Sequence, residues 1–304
     1  GLGVIPEAGG RGPLLDLLQF QGLALGIQVG DQLLDAGHTR DAAAKALEAG
    51  GESALAFIEN GLANKDFPKA ARIKLAKVCG NIRGEAVTKL LAPYISVPEN
   101  DLREAVLSAL SECGFSGENI NGEIQAQVTH RGLCQKEAAD VRVLFSALRE
   151  IESKDEMSLA AQAIRIELKH ARERLFYLLS FIHDRKAILN ARRIINQRNE
   201  AKLPYAIETL DTILPRDIKL IMVPLAEELH GKEACKKIGI NEKISLSELA
   251  ERAQGWLKIC AKSMEAEMHS TVEKVLILRS VNLFKATPDD ALAELGEIIS
   301  EVDV

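Results

Sequence analysis

A chain of 304 residues that is 47% apolar, 27% charged and 4% aromatic fits one or two globular units and excludes a disordered or collagen-like polypeptide. Lys and Arg total 38 against 44 Asp and Glu, a net charge of −6, which excludes a general phosphate-backbone binder and leaves nucleic acid out as an expected partner. Eight Phe, three Tyr and one Trp leave the core volume to Leu, Ile, Val and Ala, the residues of helix-on-helix packing, so the expected fold class is all-α.

The first dozen residues, GLGVIPEAGGRG, hold five Gly and one Pro and predict a docked or mobile arm rather than a helix. Pro13 opens an apolar stretch in which Gly22, Gly26 and Gly30 fall four apart. Such spacing can serve close helix approach in a membrane. Here Gln19, Gln21, Gln28 and Asp31 interrupt it, and no stretch reaches the roughly 18 to 20 uninterrupted apolar residues a membrane helix needs. Residues 1–48 are thus read as an N-terminal arm with capping helices.

From about Gly51 the chain reads as short amphipathic helices divided by polar turns. Ala54, Phe57, Ile58 and Leu62 form one apolar face before Asn64-Lys65-Asp66. Pro68 starts the next helix, where a missing N–H costs nothing, with Ala71, Leu75, Ala76, Cys79 and Ile82 on its face. A third helix carries Val87, Leu90, Leu91 and Tyr94 with a late Pro93, and a fourth follows Pro98-Glu99-Asn100-Asp101 with Leu102, Val106, Ala109, Leu110 and Cys113. Sliding the chain against itself by 131 residues sets Ala76, Cys79, Ile82, Leu90, Leu91, Pro93 and Tyr94 on Ile207, Leu210, Ile213, Ile221, Met222, Pro224 and Leu225 without a gap. HEAT and armadillo repeats run about 40 to 47 residues, so this offset equals about three of them. Hairpins that cannot bury a face alone stack with their neighbours, which predicts a HEAT/armadillo-like α-solenoid over residues 49–265.

The longest helix is expected over residues 156–183, with Leu168, Ala171, Leu175, Leu178, Leu179 and Ile182 as its buried stripe. Glu167, His170 and Arg174 share one polar ridge and Arg165, Lys169 and Arg172 another. Glu208 and Asp211, on a helix over residues 205–214, are candidate partners of Arg172 or Arg174. The six residues Glu167, His170, Arg172, Arg174, Glu208 and Asp211 are read as an inter-repeat polar cluster on a solvated helix face. A ligand or lipid head-group site is the sharper alternative.

Marks of catalysis are few. The sequence has no G-x-x-x-x-G-K-[ST], no G-x-S-x-G and no H-E-x-x-H. Two Glu-x-x-His pairs, Glu167/His170 and Glu227/His230, supply half of a carboxylate di-iron constellation, but Pro204, Pro215 and Pro224 deny the long helices it requires. His230, beside Gly231, is read instead as interacting with the negative end of a helix. His38, His130, His183 and His269 are read as core or surface residues, and Trp256 as a packing anchor. Cys79, Cys113, Cys134, Cys235 and Cys260 form no C-x-x-C and are odd in number, so a reducing, cytoplasmic setting is expected. No catalytic residue, metal or cofactor is assigned, and the chain is read as a non-enzyme.

The closing segment EKVLILRSVNLFKATPDDALAELGEIISEVDV resembles the opening of a cyclic-nucleotide-binding domain, in which a helix carrying L-x-x-V-x-L-F precedes a turn and a second helix beginning Ser/Thr-Pro-Asp/Glu-Asp/Glu. Thr287, Pro288 and Asp290 fit an N-cap, N1 and N3 start. Residues 266–304 are therefore read as a linker and the first helices of such a domain, cut before its β-roll. Upstream, ARERLFYLLSFIHD and YAIETLDTILPRDIK are similar to the HEAT-repeat region of bacterial proteins that join an ATP/ADP-type nucleotide transporter to a cyclic-nucleotide-binding domain. Arg172, Arg174, Leu175, Phe176, Ala206, Glu208, Leu210 and Asp211 carry that likeness; Pro204 departs from it, and residues 14–150 share only the general HEAT pattern. The resemblance implies a cytoplasmic spacer or coupling module between a membrane transporter and a nucleotide sensor, whose partners are adjacent domains of a longer chain. Gly1 in place of Met fits such an excised piece. A free-standing adaptor that binds a soluble partner protein is the alternative, and a carboxylate-bridged metal enzyme the third.

Overall fold

A computed structural model describes residues 37–115, 130–153 and 158–266, together with Val275, Leu278, Thr287, residues 291–293 and Leu295. All regular elements among the described residues are helices. The chain divides into two compact units, residues 1–115 and 116–304. The glycine-rich arm, the Gly22/Gly26/Gly30 ridge and Pro288 to Asp290 of the closing motif lie outside the described residues.

The first unit contains α1 (Gly37–Gly50), a 3-10 turn (Gly51–Ala54), α2 (Leu55–Ala63), α3 (Lys69–Ile82), α4 (Glu85–Leu91), a second 3-10 turn (Ala92–Ser96) and α5 (Asn100–Glu112). Pro68 is the N-cap of α3, its carbonyl accepting from Arg72 N at 3.0 Å. The expected third helix is shorter than its apolar pattern suggests, because Pro93 falls within the second 3-10 turn. Helix α3 is central, with α1, α2 and α5 packed against it. Leu75, Ala76 and Cys79 are fully buried there, as are Leu102, Val106 and Leu110 of α5.

The second unit contains α6 (His130–Glu152), α7 (Leu159–Ser180), α8 (Arg185–Asn196), α9 (Leu203–Ile213), α10 (Arg216–Ala226), α11 (Gly231–Ile238), α12 (Leu246–Arg252) and α13 (Gly255–Ala266). At 23 residues α6 is longer than α7 at 22, against the expectation that the second would be the longest. Ser158 caps α7 by accepting from Ala161 N at 3.3 Å, and Asp184 caps α8 by accepting from Lys186 N and Ala187 N. Pro204 stands in the first turn of α9, where no intrahelical partner is lost. Trp256 of α13 packs with Ile259 against a small core of Val275, Leu292 and Ala293, as a packing anchor should.

Helix boundaries recur at the 131-residue offset. Helix α3 ends at Ile82 and α9 at Ile213; α4 begins at Glu85 and α10 at Arg216; α5 begins at Asn100 and α11 at Gly231. Leu75, Cys79, Val87 and Leu91 are buried, and so are Ala206, Leu210, Ile218 and Met222. The second unit also has contacts that set it apart from a stack in which each repeat touches only its neighbours. Helix α6 packs against α10, α11 and α12, and α7 against α10 and α13.

The closest of these approaches is made by α11. A Cβ built on Gly231 would stand 2.3 Å from Arg149 N and 2.8 Å from Arg149 Cα, so only glycine lets the start of α11 lie on the backbone of α6. Glu152, at the end of α6, accepts from Gly231 N at 2.8 Å and satisfies one of the donors that a helix start leaves open. Arg149 closes the other end of α11, donating to Ile240 O at 2.9 Å and Glu242 O at 2.7 Å.

Candidate functional site

Helical periodicity places Arg165, Lys169 and Arg172 on one flank of the α7 stripe and Glu167, His170 and Arg174 on the other. The stripe is buried as expected at Leu168, Ala171, Leu175, Leu178 and Leu179. The solvated-face expectation holds for Lys169 and His170, which are exposed, and is corrected for the arginines: Arg172 is 6% exposed and Arg174 1%. Tertiary packing draws both guanidinium groups inward because other helices supply acceptors for them.

Arg174 Nε donates to Glu137 Oε1 of α6 at 2.7 Å, and its Nη2 donates to Glu167 Oε1 at 2.9 Å. Glu137 is itself buried. Burial works against the Arg174 charge, but Glu137 and Glu167 outweigh it and hold the guanidinium above the ordinary arginine range.

Arg172 Nη1 donates to Leu225 O at 3.2 Å and Glu228 Oε1 at 3.1 Å, and its Nη2 donates to Asn196 Oδ1 at 3.2 Å. From Asn196 the network runs through Glu173 to Arg192, which lies 4.5 Å over the Tyr177 ring and donates to its hydroxyl. On the other side Arg198 Nη2 donates to Glu228 Oε2 at 2.9 Å. Both members of that last pair have left-handed backbone, Arg198 with φ 49° and Glu228 with φ 50°. They follow the C-caps of α8 and α10, a place usually held by glycine because other residues are strained there. Burial pushes the Glu228 carboxyl up, but the hydrogen bond from Arg172 and the charges of Lys169, Arg172 and Arg198 prevail and hold it below the usual range.

Beside this network lies a cavity of about 190 Å³. Phe145, Leu148, Leu168, Pro224, Leu225 and Leu229 form its apolar wall, and Arg165, Lys169, Arg172, Glu228 and His230 its polar edge. Arg165 is paired with Glu152 at 2.7 Å. Lys169 and His230 are exposed, which places the polar edge toward solvent.

The six predicted cluster residues are only partly brought together. Glu167 and Arg174 meet, His170 is exposed, and Arg172 belongs to the neighbouring network. Glu208 and Asp211 do not pair with either arginine, which corrects that pairing. Asp211 meets Lys219 at 2.9 Å, and both acids line a separate hollow with Glu200 and Glu227. Of the Glu-x-x-His pairs, Glu227 is engaged by Lys237 at 2.6 Å. His230 is the N-cap of α11, at the positive end of a helix rather than the negative end, and its Nδ1 lies 3.4 Å from Glu152 Oε1. Among the described residues no group of three or more His, Cys, Asp or Glu could hold a metal ion. Burial pushes the Cys79 and Cys134 thiols up to about 12, far from a thiolate at neutral pH. No helix among the described residues is long and apolar enough to cross a membrane.

Sequence reasoning missed Glu137, Asn196 and Glu228. Each lies at least 24 positions from the arginine it serves, and a lone Glu or Asn in a helical pattern carries no sign of such a role. No protein-family model, curated protein or solved structure matches this chain.

Proposed function

We propose that this chain is a non-enzymatic helical-repeat scaffold, a HEAT-like module that couples flanking domains of a longer, membrane-associated protein on the cytoplasmic side. The observation that carries the reading is the 131-residue recurrence, in which helix ends and starts as well as apolar positions repeat. The resemblance of residues 171–219 to the HEAT region of nucleotide-transporter fusions, and of the closing segment to a cyclic-nucleotide-binding domain, supplies the identity of the flanking parts. Its partners are those domains, and it passes force or position between them through small changes in helix stacking.

Two measurements test it. A compact globule of this length has a radius of gyration of about 19 Å; small-angle scattering on the 304-residue chain should give a larger value, and one at or below 19 Å overturns the repeat-stack part. The extended reading frame should encode hydrophobic spans before Gly1 and a β-roll after Val304. A stop codon directly after Val304 overturns the coupling part.

A further inference from the structure

We propose that the outer face of α9 docks a basic, apolar-anchored peptide segment of a partner protein. This goes beyond the scaffold reading and does not depend on it. Helix α9 packs against α8 and α10, and of its 11 residues only Ala206 and Leu210 are buried. The equally long α10 buries all of residues 221–226. Much of what α9 leaves uncovered is apolar. Tyr205 is 61% exposed, Pro204 is exposed, and Leu203 and Ile207 are partly so. Leu203, Pro204 and Ile207 form the floor of one hollow, and its rim is acidic. An apolar floor with a charged rim is the pattern of a protein contact.

The charge on the rim selects the partner. Of the four carboxylates that line the hollow, Asp211 is met by Lys219 and Glu227 by Lys237. Glu200 and Glu208 are exposed and have no ion-pair partner among the described residues. The rim therefore presents two uncompensated negative charges, which repel a phosphate backbone or an anionic membrane surface. A bare cation would leave the apolar floor without a role, and among the described residues no group of three or more His, Cys, Asp or Glu could hold a metal ion. A segment that seats an apolar side chain on Leu203, Pro204 and Ile207, with Lys or Arg facing Glu200 and Glu208, matches both floor and rim. The floor supplies affinity and the two charges fix register.

Fluorescence anisotropy on the 304-residue chain, at about 0.15 M salt, tests the assignment with three labelled peptides matched to α9 in length. The first carries Leu and Lys in an amphipathic helical pattern, the second has each Lys replaced by Glu, and the third has each Leu replaced by Ser. The Leu/Lys peptide should bind saturably at one site, with the other two each at least about tenfold weaker. Glu200→Gln combined with Glu208→Gln should weaken the Leu/Lys peptide about tenfold. Glu233→Gln combined with Glu251→Gln, exposed acids of α11 and α12, should change nothing. No saturable binding overturns the proposal. Equal binding of the Leu/Glu or the Ser/Lys peptide removes the charge or the apolar half of the recognition and overturns it. So does an equal loss in the two double variants, which would mean general attraction to an acidic protein. A dimer in sedimentation velocity that the Glu200 and Glu208 double variant dissolves assigns the face to a second copy and also overturns it.

Discussion

Both units bury arginines in helical cores, but they use them differently. In the first, Arg72 Nε donates to Leu62 O at 3.3 Å near the end of α2, and Arg103 Nη1 donates to Val97 O at 3.3 Å. Their carboxylate or amide partners stand at the edge, Glu99 being 39% exposed. In the second, Arg174 and Glu137 are buried together on different helices, with side chains 2% and 3% exposed. The first arrangement satisfies carbonyls that a helix end leaves open. The second couples two charges away from water, where removing one takes a buried charge partner from the other.

The difference predicts a graded set of losses, each measured as a shift in the urea midpoint at unchanged slope. Arg174→Met should cost about 3–5 kcal/mol by taking the guanidinium away from the buried Glu137 carboxylate. Adding Glu137→Leu should recover most of that loss, because a well-packed apolar pair replaces the ions. If the double variant is no better than the single, the charge account of the second unit fails.

Gly231→Ala should cost up to about 3 kcal/mol by overpacking, since its Cβ meets α6 backbone that cannot rotate away. Arg72→Met should cost about 1–3 kcal/mol, one backbone acceptor being left short. A loss equal to that of Arg174→Met would erase the contrast between the units.

Two smaller effects sharpen it. The Glu228 carboxyl is held below its usual range in the folded state, so the unfolded chain binds its proton first as pH falls. The stabilisation is present at neutral pH and is lost as pH drops below the ordinary carboxylate range through the lower folded value. At 38% exposure solvent screening limits it to under about 1 kcal/mol. Glu228→Gln should flatten that part of the acid limb in stability measured from pH 7 to 3. Smallest is Gly80→Ala in the first unit. Its Cβ would lie 3.2 Å from Ala109 Cα, and the cost of that approach is offset by about 1 kcal/mol of helix propensity. A net change near zero, against the loss at Gly231, would show that the α3 approach to Ala109 Cα has slack that the α11 approach to Arg149 lacks.

Much of the local structure was legible because it depends on neighbours in the chain. Pro68 and the Pro98-Glu99 step marked helix starts, the stripe from Leu168 to Leu179 marked a buried face, and the 131-residue match located corresponding helix ends. The arginine ridges of α7 were legible as ridges but not as interior groups, since their acceptors come from α6, α8 and the turn after α10. Glu228 and Arg198 gave no signal at all. Glycine is the residue expected where the backbone is left-handed, and these two hold that conformation while paired across the fold.

Sequence alone determined that the described residues form amphipathic helices with aliphatic cores, because composition and 3.6-residue periodicity act through contacts within a few turns. Tertiary structure decided which charges lie inside, which helix α11 touches, and where a cavity remains beside Arg172. Those outcomes depend on groups 24 to 93 positions apart, whose meeting is set by packing geometry rather than by any local preference of the residues involved.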